Sequence, residues 1–166
     1  MNRTQAILAS TAVALGGLAL AEMHGGSEKV SLPFRGGDRH IMVKAEDLVW
    51  TDIASMAPPA KIAVIEGDLS KEEPFTFRLK LPPDYIVAPH VHPAFERVTV
   101  LKGTFHFAHG RVFDRDQTVA LKTGDFSIMP PGVPMFGYTE EETIIQLHGT
   151  GPWGIRYINP EDDPRQ

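Results

Sequence analysis

The strongest restriction on the fold of this chain is its pattern of short apolar segments separated by turns. Residues 75–81, FTFRLKL, alternate apolar and polar side chains, and Pro82-Pro83-Asp84 follows directly. Such alternation is typical of a half-buried β-strand, and proline ends a strand because it has no N–H to donate. Further short segments recur at a spacing of roughly ten residues with Gly and Pro turn signals between them. Because no long segment after residue 21 has a helical period, the sequence predicts an all-β jelly roll or barrel.

The most informative motif is a cluster of potential metal ligands. His90, His92 and Glu96 lie within seven residues, in the order H-x-H-x-x-x-E. Side chains alternate between the two faces of a strand, so His90 and His92 share a face, and Glu96 shares it if the strand continues. Two imidazoles and one carboxylate that converge form a ligand set suited to Fe(II) and related ions. The motif predicts a divalent metal centre; the alternative is a half-buried strand with surface histidines.

The segments around this motif resemble the cupin superfamily. Its first motif, G-x5-H-x-H-x3–4-E-x6-G, is matched at His90, His92, Glu96 and Gly103, and its second, G-x5-P-x-G-x2-H-x3-N, at Gly124, Pro130 and Gly132. More narrowly, the chain resembles small secreted bacterial single-domain cupins of unassigned function. The resemblance implies a single cupin-type jelly-roll β-barrel with a metal held by His90, His92 and Glu96.

The chain departs from the cupin pattern at three positions. Asp84 stands where the first motif has its leading glycine, and Asp tolerates a positive φ better than most residues. Met135 stands where cupins have their fourth metal ligand, a histidine, and Thr139 stands at the terminal asparagine. A thioether suits copper and is a poor ligand for Fe(II), Mn(II) or Zn(II). The sequence leaves open whether the metal has three protein ligands, different chemistry, or a site that no longer functions.

Another histidine could take the place of the missing ligand. His106 and His148 both lie on predicted strands, where alternation decides which side chains face the interior. His148 is favoured because the cupin resemblance extends through it, and a surface or structural role is the alternative for both. The candidates for a fourth ligand or pocket residue are therefore Met135 and His148.

The N-terminal residues predict export. Arg3 precedes an uncharged, mostly apolar run from Ala6 to Leu18, and Ala19-Leu20-Ala21 has the small-x-small pattern of a signal-peptidase site. We therefore expect a signal peptide at residues 1–21, a flexible leader at 22–40, a barrel at 41–166, and a periplasmic or secreted protein. The chain has no Cys, so no disulfide framework is expected outside the cytoplasm.

Charge and composition limit the classes of molecule that the protein is expected to bind. The formal net charge is −5, and no Lys/Arg cluster is present, which argues against nucleic acid and against anionic membrane surfaces. We expect a small-molecule ligand and a divalent transition metal such as Fe, Mn, Cu, Ni or Zn. The resemblance also implies pairing through edge strands into a homodimer. Two functions stay open: a metal-dependent oxygenase or isomerase, and a non-catalytic module that binds metal or a small ligand.

Overall fold

The computed structural model describes residues 32–35 and 40–166, and these residues form an all-β domain. The predicted signal peptide and most of the predicted leader lie outside the described residues. The strands, in chain order, are β1 (Thr51–Asp52), β2 (Lys61–Glu66), β3 (Pro74–Leu81), β4 (Ile86–Val91), β5 (Glu96–Lys102), β6 (Thr104–His109), β7 (Val119–Lys122), β8 (Phe126–Met129), β9 (Met135–Tyr138), β10 (Thr143–Thr150) and β11 (Arg156–Tyr157).

The strands form two antiparallel sheets that face each other. The first sheet has the order β1-β2-β3-β10-β5-β8, and the second has the order β11-β4-β9-β6-β7. Consecutive strands repeatedly change sheet, as in a jelly roll, so the predicted fold class is confirmed. The helical turns of the described residues are short 3-10 segments at Ala45–Asp47, Arg115–Gln117 and Pro160–Asp162. Nowhere in this part of the chain is a helix long and apolar enough to cross a membrane.

Alternation along the central strands builds the core. In β3 the residues Phe75, Phe77, Leu79 and Leu81 are buried, while the intervening residues are partly exposed. In β10 the buried positions are Thr143, Ile145 and Leu147, which lie beside β3 in an antiparallel register. The half-buried strand predicted at residues 75–81 is therefore confirmed, and its apolar face packs into the space between the sheets.

A short piece of the predicted leader is bound to the barrel. The Phe34 N–H donates to the Ile65 carbonyl at 2.8 Å, and the Gly67 N–H donates to the Phe34 carbonyl at 2.8 Å. Arg35 also forms an ion pair with Asp68 at 3.2 Å. Residues 34–35 thus add a bridge at the end of β2, which the interpretation of residues 22–40 as a flexible leader did not foresee.

The turn between β3 and β4 accounts for two of the departures from the cupin motifs. Asp84 has a φ of 55°, a left-handed conformation that glycine adopts most readily and that Asp tolerates. The Thr139 hydroxyl accepts from the Tyr85 N–H at 3.2 Å and donates to the Pro82 carbonyl at 2.7 Å. Asp84 and Thr139 therefore preserve the turn that leads into the strand carrying His90.

Candidate metal centre

A β-bulge sets the direction of the His90 side chain. Val87 pairs with Gly137 and His90 pairs with Met135, so Ala88 and Pro89 together oppose the single residue Phe136. Pro89 has no N–H to contribute to the ladder, and bulges are sites that tolerate proline. Val87 and His90 are three residues apart and would face opposite sides of a regular strand. Because the bulge adds one residue, both line the same cavity between the sheets.

Glu96 reaches that cavity from the other sheet and not along the strand of His90. The strand does not continue from His92 to Glu96: β4 ends at Val91, and β5 begins at Glu96 in the other sheet. The chain crosses between the sheets over residues 92–95. The condition under which Glu96 would share the face of His90 and His92 is therefore not met, but the three residues still line one cavity. The carboxylate faces the two imidazoles from the opposite wall.

Main-chain carbonyl groups orient both imidazole rings. His90 Nδ1 donates to the Ala88 carbonyl at 2.7 Å, and His92 Nδ1 donates to the Gly154 carbonyl at 2.6 Å. A carbonyl oxygen can only accept, so each Nδ1 carries a proton and each Nε2 of the neutral rings has a free lone pair. The two Nε2 atoms lie 3.1 Å apart. Lone pairs at this distance repel each other unless a proton or a cation lies between them.

Burial keeps the three groups uncharged at neutral pH in the metal-free chain. Burial lowers the pKa of His90 to about 4, and burial together with the neighbouring His90 lowers the pKa of His92 to about 3. Burial raises the pKa of Glu96 to about 8. The protonated Glu96 carboxyl lies 3.3 Å from His92 Nε2 and is able to share its proton with that atom. Bound metal would replace this proton, because a ligating carboxylate must be ionised.

The pairwise spacing of these atoms fits neighbouring ligands on one ion. Two ligands about 2.1 Å from an ion, at angles between octahedral and tetrahedral values, lie about 3.0–3.4 Å apart. The distances of 3.1 Å and 3.3 Å fall in this interval. In residues 32–35 and 40–166, however, no set of three His, Cys, Asp or Glu side chains is arranged so that it could hold a metal as it stands. The metal site therefore stays a prediction, supported by its donor chemistry and its pairwise distances.

The cavity beside these residues is small and apolar. Its volume is about 30 Å³, and its polar lining consists of His90, His92, Glu96 and the indole of Trp153. The remaining walls come from both sheets, among them Leu79, Val98 and Leu147 from the first and Val87, Phe105 and Met135 from the second. A charged group there has little access to bulk water, which strengthens its interaction with any cation nearby.

The two candidate fourth residues lie in different places. Met135 is fully buried, is paired with His90 across β4 and β9, and lines the cavity. His148 lies on the outer face of its sheet, between Thr76 and Arg97, in a separate surface groove. His106 is also outside the cavity, stacked on Tyr138 with ring centroids 4.4 Å apart. The structure thus brings Met135 to the site and leaves His148 away from it.

Trp153 and Gly154 are site residues that the residue-by-residue sequence analysis did not identify. The Trp153 ring stacks on His92 with centroids 4.7 Å apart and an interplanar angle of 21°. Its Nε1 atom is buried and has no hydrogen-bond partner in the described residues. Gly154 contributes only its carbonyl oxygen, so no side-chain pattern could have predicted its role. The one available signal was that the cupin resemblance extends through His148, close to this segment.

Comparison with protein families identifies the family to which the chain belongs. A family described as a domain of unknown function, DUF4437, matches residues 41–164. The chain belongs to DUF4437. This match covers almost the whole of the predicted barrel domain. Among proteins with curated functions, none matches the DUF4437 chain.

Solved structures that are similar to this DUF4437 chain are cupin-type proteins. The polyketide cyclase RemF from Streptomyces resistomycificus has a TM-score of 0.62 and 16% identity, covering 76% of this chain and 91% of its own. An RmlC-like cupin from Shewanella frigidimarina has a TM-score of 0.54 and 18% identity, covering 68% and 91%. Salicylate 1,2-dioxygenase from Pseudaminobacter salicylatoxidans has a TM-score of 0.51 and 16% identity, covering 63% and 32%. At these identities the similarity shows that the chain has the cupin fold.

The stability of the metal-free DUF4437 chain should depend on pH in two opposite ways. His90 and His92 have pKa values below the ordinary 6.5, so unfolding takes up protons and stability rises with pH up to about 6.5. Glu96 has a pKa above the ordinary 4.5, so the folded chain holds the extra proton and stability falls as pH rises towards 8. Maximum stability is expected near pH 6.5, with a loss of roughly 1–2 kcal/mol by pH 8.

Urea unfolding of the metal-free protein at pH 6.5 and pH 8 measures this difference. Glu96→Gln has no titrating carboxyl, so its free energy of unfolding should not fall between these pH values and should rise by up to about 1 kcal/mol as the two histidines of the unfolded chain lose their last protons. If the free energy of unfolding fell equally in wild type and in Glu96→Gln, the buried carboxyl would not be the cause of the decline.

Proposed function

We propose that this protein is a metal-dependent cupin enzyme that acts on a small organic molecule, with His90, His92 and Glu96 as the metal ligands. One observation carries the proposal. Two imidazoles are fixed so that their Nε2 lone pairs face each other at 3.1 Å, next to a buried carboxyl and inside an otherwise apolar cavity. A divalent cation between these groups would relieve the repulsion of the two lone pairs and would pair with the ionised carboxylate.

Each residue would have a distinct part in this chemistry. The carbonyl groups of Ala88 and Gly154 hold His90 and His92 in the tautomer that binds metal, which is the usual outer support of such ligands. Glu96 would release its proton on metal binding and then balance part of the charge. A bound divalent metal supplies Lewis-acid polarisation of an oxygen, or activation of water or O₂, in such sites. The apolar walls would exclude bulk water from the reacting molecule.

The similar structures support an enzyme without fixing its reaction. RemF is a polyketide cyclase, and the Pseudaminobacter protein is a salicylate dioxygenase, so this fold carries different reactions on organic molecules. Fold similarity alone does not transfer an activity, because cupin chemistry resides in the site. We propose an oxygenase or an isomerase as the two reaction classes to assay first.

Met135 favours a second candidate, a non-catalytic module that binds copper or a small ligand. Its thioether is fully buried beside His90 on the neighbouring strand. A neutral thioether is a soft ligand that suits Cu(I) and is a poor ligand for Fe(II), Mn(II) and Zn(II). A site with two imidazoles and one thioether would bind copper without need of a substrate.

The substitution Met135→His separates these two functions. If the enzyme hypothesis holds, the added imidazole should tighten Fe(II), Mn(II) or Zn(II) binding by at least about tenfold, equivalent to about 1.4 kcal/mol. Metal titration of the metal-free protein, followed by elemental analysis, measures this affinity. The matched control is Met135→Leu, which keeps the buried volume and removes the sulfur.

The control variant tests the copper alternative. Loss of Cu(I) binding in Met135→Leu would favour the copper module, and unchanged binding of every metal in both variants would show that residue 135 does not reach the ion. Elemental analysis of protein purified from its own source identifies the metal that it binds in the cell. One transition-metal ion per chain is the expected result, and a metal-free protein that takes up no ion would refute the proposed function.

We also propose that the protein acts outside the cytoplasm after removal of residues 1–21. The support is the sequence pattern of Arg3, the apolar run and Ala19-Leu20-Ala21. Cell fractionation with N-terminal sequencing should find a mature chain that begins at Glu22 in the exported fraction. Full-length protein in the cytoplasm would contradict this proposal.

A further inference from the structure

The segment that joins β1 to β2 contributes one buried side chain to the wall of the candidate metal cavity. This segment, residues 53–60, is called the strap. Ala54, Ala57, Pro58 and Pro59 are exposed, whereas Met56 is only 5% exposed and lines the cavity together with His90, His92 and Glu96. The other apolar walls of this cavity belong mainly to strands that are held by ladders of hydrogen bonds. Met56 is thus supplied by an irregular segment.

Two tyrosine hydroxyls attach the strap to the barrel. The Tyr85 hydroxyl donates to the Ala57 carbonyl at 2.7 Å, and the Tyr157 hydroxyl donates to the Ser55 carbonyl at 2.8 Å. Among the hydrogen bonds of the described residues, these two alone connect residues 53–60 to another part of the chain. Tyr157 is also the cross-strand partner of His90 in the pairing of β11 with β4. The strap is therefore anchored next to the candidate metal ligands.

The cavity is too small for an organic molecule while Met56 forms part of its wall. Its volume of about 30 Å³ accommodates water, whereas an apolar cavity of about 150 Å³ is needed for a ligand the size of benzene. Enlarging it from the strands would break ladder hydrogen bonds and the packed core. Moving the strap breaks two hydrogen bonds to the barrel, and segments with few such bonds open first. Met is also the most adaptable apolar side chain because it is long and unbranched.

We propose that Met56 is a removable plug that occupies the place of the substrate, and that the substrate is a small molecule with an apolar body and a single polar head. The head would meet His90, His92 and Glu96, which with the Trp153 indole are the polar groups of the cavity. The body would take the space that Met56 vacates among apolar walls. The polar head of the substrate rests on the proposed function, because His90, His92 and Glu96 are the candidate metal ligands. The movement of Met56 does not depend on a bound metal.

The first experiment measures benzene binding to the metal-free protein by calorimetry. If the strap must open first, the apparent affinity is reduced by the fraction of chains that are open. Tyr85→Phe/Tyr157→Phe removes both anchoring hydrogen bonds without loss of apolar area, and should bind benzene roughly tenfold more tightly than wild type. Met56→Ala should bind more tightly still. The controls are Tyr138→Phe, whose ring packs on His106 outside the cavity, and Met42→Ala, at a side chain that is 81% exposed.

The second experiment follows amide hydrogen exchange at Met56 and Ala60, whose N–H groups bond within the strap to the Ile53 and Ala57 carbonyls. Both amides should exchange faster in Tyr85→Phe/Tyr157→Phe, and faster in wild type when benzene is bound. Equal benzene affinity in wild type and the Tyr85→Phe/Tyr157→Phe variant, or benzene binding that leaves strap exchange unchanged, would overturn the plug. Because both experiments use metal-free protein, failure of metal binding would refute the proposed function and leave the plug in place.

Discussion

Alanine at both His90 and His92 is expected to abolish metal binding. Loss of a single hydrogen-bond partner behind a metal ligand already costs about 10–100-fold in affinity, and this variant removes two ligands themselves. Glu96 alone would remain, in a buried position where its pKa is raised to about 8 and where ionisation without imidazole partners is costly. We therefore expect affinity to fall by far more than about a hundredfold, to the level of non-specific surface binding.

Elemental analysis after dialysis gives the metal stoichiometry of this variant. The matched control is His106→Ala/His148→Ala, which removes two imidazoles outside the cavity and should keep one ion per chain. Circular dichroism checks that both variants are folded. An unchanged stoichiometry in the His90/His92 variant would mean that the ion, if one is present, binds elsewhere, and the proposed function would fall with it.

Phe77→Ala is expected to cost about 3–5 kcal/mol of stability, the usual range for a buried Phe replaced by Ala. Phe77 is completely buried, and its ring packs against Trp153 with centroids 4.9 Å apart. Trp153 in turn stacks on His92, so the cavity left by Phe77 lies directly behind a candidate ligand. Metal affinity should therefore fall as well, because the His92 ring loses part of the packing that orients it.

Urea unfolding followed by circular dichroism measures the loss in Phe77→Ala. The control is Phe126→Ala, at a ring that is 46% exposed on the outer face of β8, for which we expect a loss below about 1 kcal/mol. A similar loss of stability in both variants would show that the buried contact between Phe77 and Trp153 contributes no more to stability than an exposed ring does. A domain of this size has a total stability of about 5–15 kcal/mol, so Phe77→Ala is compared with wild type both without and with added metal, which should stabilise the folded chain if it binds.

The fold, and the grouping of His90 and His92 in one cavity, were both predictable from local features of the sequence. Alternation at residues 75–81 is reproduced by the burial pattern of β3, because side-chain direction along a regular strand depends only on the strand's own backbone. The turn at Asp84 was predictable for the same reason, since a positive φ is a property of one residue. The spacing of His90 and His92 likewise placed both rings in one cavity.

Features that depend on pairing between distant strands were decided by the tertiary structure alone. The bulge at Ala88 and Pro89 exists only relative to β9, and Glu96 reaches the imidazoles by crossing to the other sheet. His148 follows an apolar run with Ile on both faces, so the outward direction of its side chain became clear only from the packing of β10. Trp153 and the Gly154 carbonyl come from a segment more than fifty residues away. Local patterns along the chain were enough to predict a cupin-type β-fold that contains a histidine pair and a carboxylate. Which atoms meet depends on the packing of the two sheets, because those contacts join residues that are remote in the chain.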